Sequence, residues 1–173
     1  MFKLILSAGL ILLSACTSAP EGITAVDNFA VERYLGKWHE IARLDHSFER
    51  GLTQVTANYS LRDDGGIKVI NRGFAAEQQE WQTAEGKAYF VEDAVTGHLK
   101  VSFFGPFYGA YVIFELDKAG YQYAYIAGPN RDYLWLLARQ PQIDNAQKQD
   151  FVNRAKAAGF ATDQLIWLDS PPQ

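Results

Sequence analysis

The sequence predicts an all-β protein: an eight-stranded antiparallel up-and-down barrel with one C-terminal α-helix packed outside. Three observations carry this reading. From residue 38 onward, apolar and polar residues alternate in repeated runs of about four to eight. Turn residues punctuate those runs at roughly ten-residue intervals, as in sandwiches and barrels. A single long helical pattern follows the last run. Sequential strands joined by hairpins can pair neighbour to neighbour and close on themselves, which removes the edges of an open sheet. A closed barrel of about eight strands leaves room for one small ligand.

Ahead of the barrel, Met1-Phe2-Lys3 supplies one positive charge, and 4–13 is an almost unbroken apolar run. That run is too short to span a bilayer core of ~30 Å as a helix and reads as an export signal. Leu13-Ser14-Ala15-Cys16 places small residues directly before the only cysteine. It resembles the lipobox of bacterial lipoproteins, which implies a lipidated Cys16 as the first residue of the mature chain. One acyl chain binds a membrane marginally, at ~0.8 kcal/mol per buried CH₂, and two or more hold stably. Asp after the cysteine resembles an inner-membrane retention signal. Thr17 stands there instead, which implies the outer membrane, with the domain held at its periplasmic face. Residues 18–22 read as a short flexible tether. The expected division is 1–15 signal peptide, 16–27 lipidated cysteine and tether, and 28–173 barrel domain.

The strands are expected near 38–44, 55–61, 67–74, 83–90, 98–104, 110–116, 121–127 and 133–139. Asp64-Gly65-Gly66 is a hairpin signal, Lys118-Ala119-Gly120 a tight turn and Gly128-Pro129-Asn130 a loop. The helix opens at Asp144 with Gln147 three residues on, a capping-box spacing, places Phe151, Val152, Ala155 and Ala158 on one face and ends at Gly159. A short ninth strand is expected at 165–168.

Alternation assigns the faces. With Arg43, Lys68, Arg72 and Lys100 turned to water, the interior receives Glu40, Ala42, Val69, Asn71, Leu99, Val101 and Phe103. Val55, Ala57 and Tyr59 join them from the second strand, Ala88 and Phe90 from the fourth, and Tyr123, Tyr125, Tyr133 and Trp135 from the last two. A bulge near 108–111 would flip the parity there. Small residues among large ones suggest a cavity, and a solid aromatic core is the alternative.

Gly36-Lys37-Trp38, opening the first strand, resembles the G-x-W signature of lipocalins, and Arg139 stands where that family has an arginine packed over the tryptophan at the closed end. The resemblance implies structural roles for Gly36, Trp38 and Arg139. It extends through 34–43, 59–66, 101–109 and 131–135, where the chain is similar to bacterial lipocalins, outer-membrane lipoproteins grouped with apolipoprotein D. Two positions depart from the pattern. His39 follows the signature tryptophan where Tyr is common, and the T-D-Y motif survives only as Asp117 with Tyr121 displaced.

The resemblance implies a binding protein for fatty acids or lysophospholipids, with neither cofactor nor metal. The family's open end corresponds to loops holding Arg50, Glu77, Pro106, Phe107, Tyr108, Asn130 and Arg131. Tyr108 and Trp135 are the favoured mouth residues, each with an aromatic body and a polar tip. Arg50 or Arg131 could pair with an anionic head group, and 104–108 could meet a bilayer or a second copy in a homodimer. Composition narrows the rest. Of 173 residues 48% are hydrophobic and 14% aromatic, enough for a substantial core, and 16 Lys+Arg against 20 Asp+Glu give a net charge of −4 with no basic patch for nucleic acid. His39, His46 and His98 lack ligand spacing for zinc, and no G-x-S-x-G motif is present. A lipid-modifying enzyme using Glu40 or a tyrosine, and a scaffold with a filled barrel, are the rival readings. Glu40 itself is expected inward, as a satisfied buried carboxylate or an acid with a raised pKa.

Overall fold

The computed structural model describes residues 17–168, so the signal segment and Cys16 lie outside the described residues. A four-residue helix, α1 (Val31–Tyr34), leads into β1 (Gly36–Arg43), β2 (Leu52–Leu61), β3 (Ile67–Ala75), β4 (Glu80–Phe90), β5 (His98–Ser102), β6 (Gly109–Leu116), β7 (Tyr123–Ala127) and β8 (Leu134–Ala138). Then come α2 (Asn145–Ala157), a 3₁₀ turn (Thr162–Gln164) and β9 (Ile166–Trp167). Each of β1 to β8 pairs antiparallel with its sequence neighbours, and β1 pairs with both β2 and β8, so the sheet closes. β9 adds outside the ring on the last residues of β1.

Two apolar layers follow from this closure. Inside the barrel lie Trp38, Ala57, Tyr59, Val69, Ala88, Leu99, Ile126 and Leu137, with Phe29, Tyr34 and Tyr121 beneath them. Outside, Phe151 and Ala155 of α2 cover Ile41, Ala42, Tyr125, Leu134, Leu136 and Ala138. The helix starts where the Asp144 carboxylate accepts the Gln147 N–H at 2.7 Å. It stops at Gly159, whose φ of +85° suits a residue without Cβ. There Phe160 N–H donates to Ala155 and Gly159 N–H to Lys156, the paired bonds that satisfy the last carbonyls.

The closed end is sealed by aromatic packing. Trp38 is fully buried and donates its indole N–H to the Tyr34 carbonyl. Arg139 lies 4.0 Å from the Trp38 ring centroid and donates to the carbonyls of Lys37, Arg33 and Tyr121. Gly36 sits at φ +90° with the Arg139 guanidinium 3.6 Å from where a Cβ would lie. The displaced Tyr121 still reaches the core. Asp117 accepts from the backbone of Gly120 and Gln122 across the wider turn, and the buried Tyr121 accepts the Ala30 N–H on its hydroxyl.

The stretch expected to be a flexible tether is docked instead. Pro20 and Ile23 are buried, His98 Nε2 donates to the Thr17 carbonyl at 2.8 Å, and Arg131 donates to that of Glu21. Val26 then exchanges backbone bonds with Gly97 and Ile113. Short apolar side chains in 19–26 find an outer wall with room for them, and burial outweighs the flexibility that their composition suggests.

Candidate functional site

Solvent access divides the barrel into a packed lower half and an open upper half. At the bottom Trp38, Ile113, Ala124 and Ile126 are inaccessible. Above them, inward-facing Asn71, Phe90, Val101, Phe103, Tyr111 and Trp135 are each only partly buried. Gln82 and Ala84, on the same face of β4, are exposed. Pairing explains the opening, because β4 meets β5 only over Lys87–Phe90 and the earlier half of β4 has no partner on that side. Small residues widen the cup. Ala57, Gly73, Ala84, Gly86 and Ala88 face inward on adjoining strands, and at Gly86 a Cβ would come within 2.8 Å of Phe103. Between the β1–β2 and β3–β4 loops, Leu52, Ala75, Glu77 and Gln82 border a pocket of about 270 Å³.

One wall of the mouth is polar and buried. The β1–β8 register slips between Glu40 and Ala42, so β1 turns Glu40 and then Arg43 inward. Arg43, 2% exposed, donates to the Glu40 carboxylate at 2.8 Å and to the carbonyls of Glu49 and Leu52. Trp135, directly opposite Arg43 on β8, donates its indole N–H to Glu49. His46 Nε2 lies 2.9 Å from the same carboxylate, under Phe48 and beside Tyr133 and Trp135. Burial and the neighbouring Glu49 charge push Glu40 well above the usual carboxylate range, against the pull of Arg43. Burial also pushes Glu49 up, but His46, the Trp135 N–H and Arg43 outweigh it and hold Glu49 below its ordinary value.

These opposite shifts act in separate pH windows. Glu49 contributes stability above its unfolded pKa that is lost as pH falls through its lower folded value. Glu40 binds its proton more tightly folded than unfolded, so its contribution is present at acid pH and lost as pH rises above the ordinary value of 4.5. Glu40→Gln keeps the hydrogen-bonding shape and cannot ionise. The expected result is that stability of the variant, relative to the parent, rises with pH above the ordinary value of 4.5 by at most about 1.4 kcal/mol per unit, until the folded Glu40 itself ionises. Urea denaturation at four pH values measures it, and a difference independent of pH would contradict the assignment.

The structure gathers Tyr59, Val69, Asn71, Phe90, Leu99, Val101, Phe103 and Trp135 on the inward face. Four other residues expected at the site, Ala42, Tyr123, Tyr108 and Arg131, lie elsewhere. Ala42 sits in the layer under α2, because the β1 slip exchanges its face with that of Arg43. Tyr123, with Tyr125, also faces that layer, since Ala124 and Ile126 take the inward positions of β7. Tyr108 lies on the outer wall, 6.4 Å from Tyr89 and under Lys100, one residue out of phase with inward Tyr111. Arg50 borders the mouth pocket, as expected, but its guanidinium is held in an exposed pair with Asp45. Arg131 donates to the Ala158 and Glu21 carbonyls, tying the end of α2 to the amino-terminal strap. The structure adds Arg43, His46, Glu49, Tyr34 and Tyr111 to the cup and its wall, residues that the alternation of the sequence does not single out. Among the described residues no group of three His, Cys, Asp or Glu side chains could hold a metal ion, and no helix is long and apolar enough to cross a membrane.

A closed antiparallel barrel, plugged by a tryptophan under an arginine at one end and open over an apolar cup at the other, defines a lipocalin. Residues 29–170 match the lipocalin-like domain family, and the chain belongs to it. It is 55% identical to the outer membrane lipoprotein Blc of Vibrio cholerae over 158 residues, covering 91% of this chain and 92% of that protein. It is 52% identical to Escherichia coli K12 outer membrane lipoprotein Blc, over 92% and 91%, and 34% identical to rat apolipoprotein D, over 76% and 69%. The fold is similar to that of insecticyanin from the tobacco hornworm, with a TM-score of 0.70, 19% identity and coverage of 88% and 87%.

Proposed function

We propose that this protein is a lipid-binding lipoprotein of the bacterial outer membrane, lipidated at Cys16 after removal of 1–15, which stores or carries fatty acids or lysophospholipids. The lipobox-like sequence and the printed names of its bacterial relatives support the location. The observation that carries the binding reading is the accessible, apolar upper half of the barrel, where inward Val101, Phe103, Tyr111 and Trp135 stay partly uncovered. Such a surface is costly to leave wet and gains about 0.8 kcal/mol per CH₂ of a chain laid against it. Exposed Phe48, Trp81, Phe104 and Phe107 lie on or beside the open-end loops, an apolar collar through which a chain passes from a bilayer. In the polar wall the Glu40 carboxylate is engaged by Arg43 and that of Glu49 by the Trp135 indole and His46, which supports a wall that bounds the cup and a head group held at the mouth. The cup is a binding surface and the protein a binder rather than an enzyme.

Trp135 reports occupancy. Titration with a bromine-labelled palmitate is expected to quench tryptophan emission saturably, with most of the quench lost in Trp135→Phe. A linear, unsaturable response, or an undiminished quench in the variant, would contradict a chain seated in the upper barrel.

A further inference from the structure

The floor of the cup carries an incomplete hydrogen-bond cluster. Tyr34, rising from α1, and Tyr59, on β2, each place their hydroxyl against that of Tyr111 on β6, at 2.7 and 2.9 Å. Tyr34 and Tyr59 are buried, while Tyr111 is partly accessible. Each phenol brings one proton, and each of the two contacts consumes one. One O–H is therefore left without an acceptor, whichever way the chain of hydroxyls is oriented. Burial raises the pKa of all three phenols, so no member becomes a phenolate that could close the account by accepting alone.

A complementary deficit stands beside it. Asn71 faces inward on β3, and its buried Oδ1 accepts no hydrogen bond. In the β2–β3 register Tyr59 opposes Val69 and Ala57 opposes Asn71, which makes Tyr59 and Asn71 diagonal neighbours on the inner face. Diagonal positions of a ladder are within reach of one another for long side chains. An unused donor and an unused acceptor on one apolar surface match a group that both accepts and donates, namely a hydroxyl. Unsatisfied buried polar atoms cost enough that such a pair is a recognition feature once a ligand enters.

We propose that the barrel floor binds a hydroxyl at the buried end of an acyl chain, so that the protein accepts hydroxylated single-chain lipids as well as saturated ones. This rests on the reading of the upper barrel as a lipid site with the head group at the mouth. The terminal hydroxyl accepts the spare phenol proton and donates to Asn71 Oδ1.

Palmitate and 16-hydroxypalmitate, which differ only at the chain end, test it by competition against a fluorescent fatty acid on the full-length delipidated protein. A purely apolar floor strands the hydroxyl and weakens 16-hydroxypalmitate about tenfold or more. The proposal predicts binding at least as tight as that of palmitate. It further predicts that Tyr34→Phe/Tyr59→Phe/Tyr111→Phe, near-isosteric at each position, lowers the affinity for 16-hydroxypalmitate relative to that for palmitate about tenfold. Asn71→Val, which leaves the aromatic floor intact, is expected to lower the same affinity ratio severalfold, and decides the matter if the triple variant does not fold. A tenfold preference of the parent protein for palmitate would overturn the proposal, as would variants that change both ligands equally. Failure of palmitate itself to bind would overturn the lipid-site reading instead, and the two failures are thus distinguishable.

Discussion

Arg43→Met is expected to cost about 3 to 5 kcal/mol of folding stability, the loss seen when one partner of a buried ion pair is removed. Arg43 is 2% exposed and serves Glu40 and the Glu49 and Leu52 carbonyls together. Removing it strands the buried Glu40 carboxyl, leaves Glu49 with only His46 and Trp135 beside it, and takes a donor from two backbone carbonyls. Domains of this size hold some 5 to 15 kcal/mol in total, so the variant should sit near the threshold of folding at 37 °C. The cost comes from stranded polar groups rather than from lost packing, and that distinction is measurable. Glu40→Met/Arg43→Met exchanges the pair for apolar side chains of similar length and is expected to recover a good part of the loss. Urea denaturation of the two single variants and the double variant gives the coupling. Losses that simply add would show that the two side chains act independently and would remove the physical basis for the polar wall.

The same wall explains where sequence reading stops. Alternation assigns an inward face correctly only while the ladder keeps register. Along β3 and β5 no slip occurs between the residues concerned, and Val69, Asn71, Leu99 and Val101 face inward as their spacing implies. On β1 the slip between Glu40 and Ala42 exchanges the faces of Ala42 and Arg43. Nothing in His39-Glu40-Ile41-Ala42-Arg43 announces it, and a charged residue is ordinarily assigned to water. Arg43 is held by Glu40 of its own strand, by the carbonyls of Glu49 and Leu52 and against Trp135 of β8, contacts that only the bulge and the closure of the barrel bring together.

A different cause acts at Tyr123 and Tyr125. Covering of β7 by α2 makes both of its faces apolar, and a strand buried on both sides carries no polar phase from which to choose. Tyr108 misses by one residue, at the place where a bulge had left the parity open. The docked strap of 17–26 has the small and turn-forming residues of a linker, and only the barrel wall supplies what buries it. The barrel, by contrast, is legible because strand number, hairpin turns and the helix cap are local signals, and the Trp38 and Arg139 positions extend them across the chain.

The upper barrel as a seat for one acyl chain is tested most directly by native mass spectrometry of the delipidated protein. Palmitate and lysophosphatidylethanolamine are titrated against the parent chain and against Ala84→Trp. Ala84 is exposed and faces the hollow, so an indole there enters space that no side chain occupies and is tolerated by the fold. It displaces about three to four CH₂ groups of a bound chain, at ~0.8 kcal/mol each, a loss near 100-fold in affinity. The predicted result is a saturable one-to-one complex with either single-chain lipid, reduced about 100-fold by Ala84→Trp with folding unchanged. Absence of any complex in the parent protein, or a complex indifferent to the indole, would contradict it.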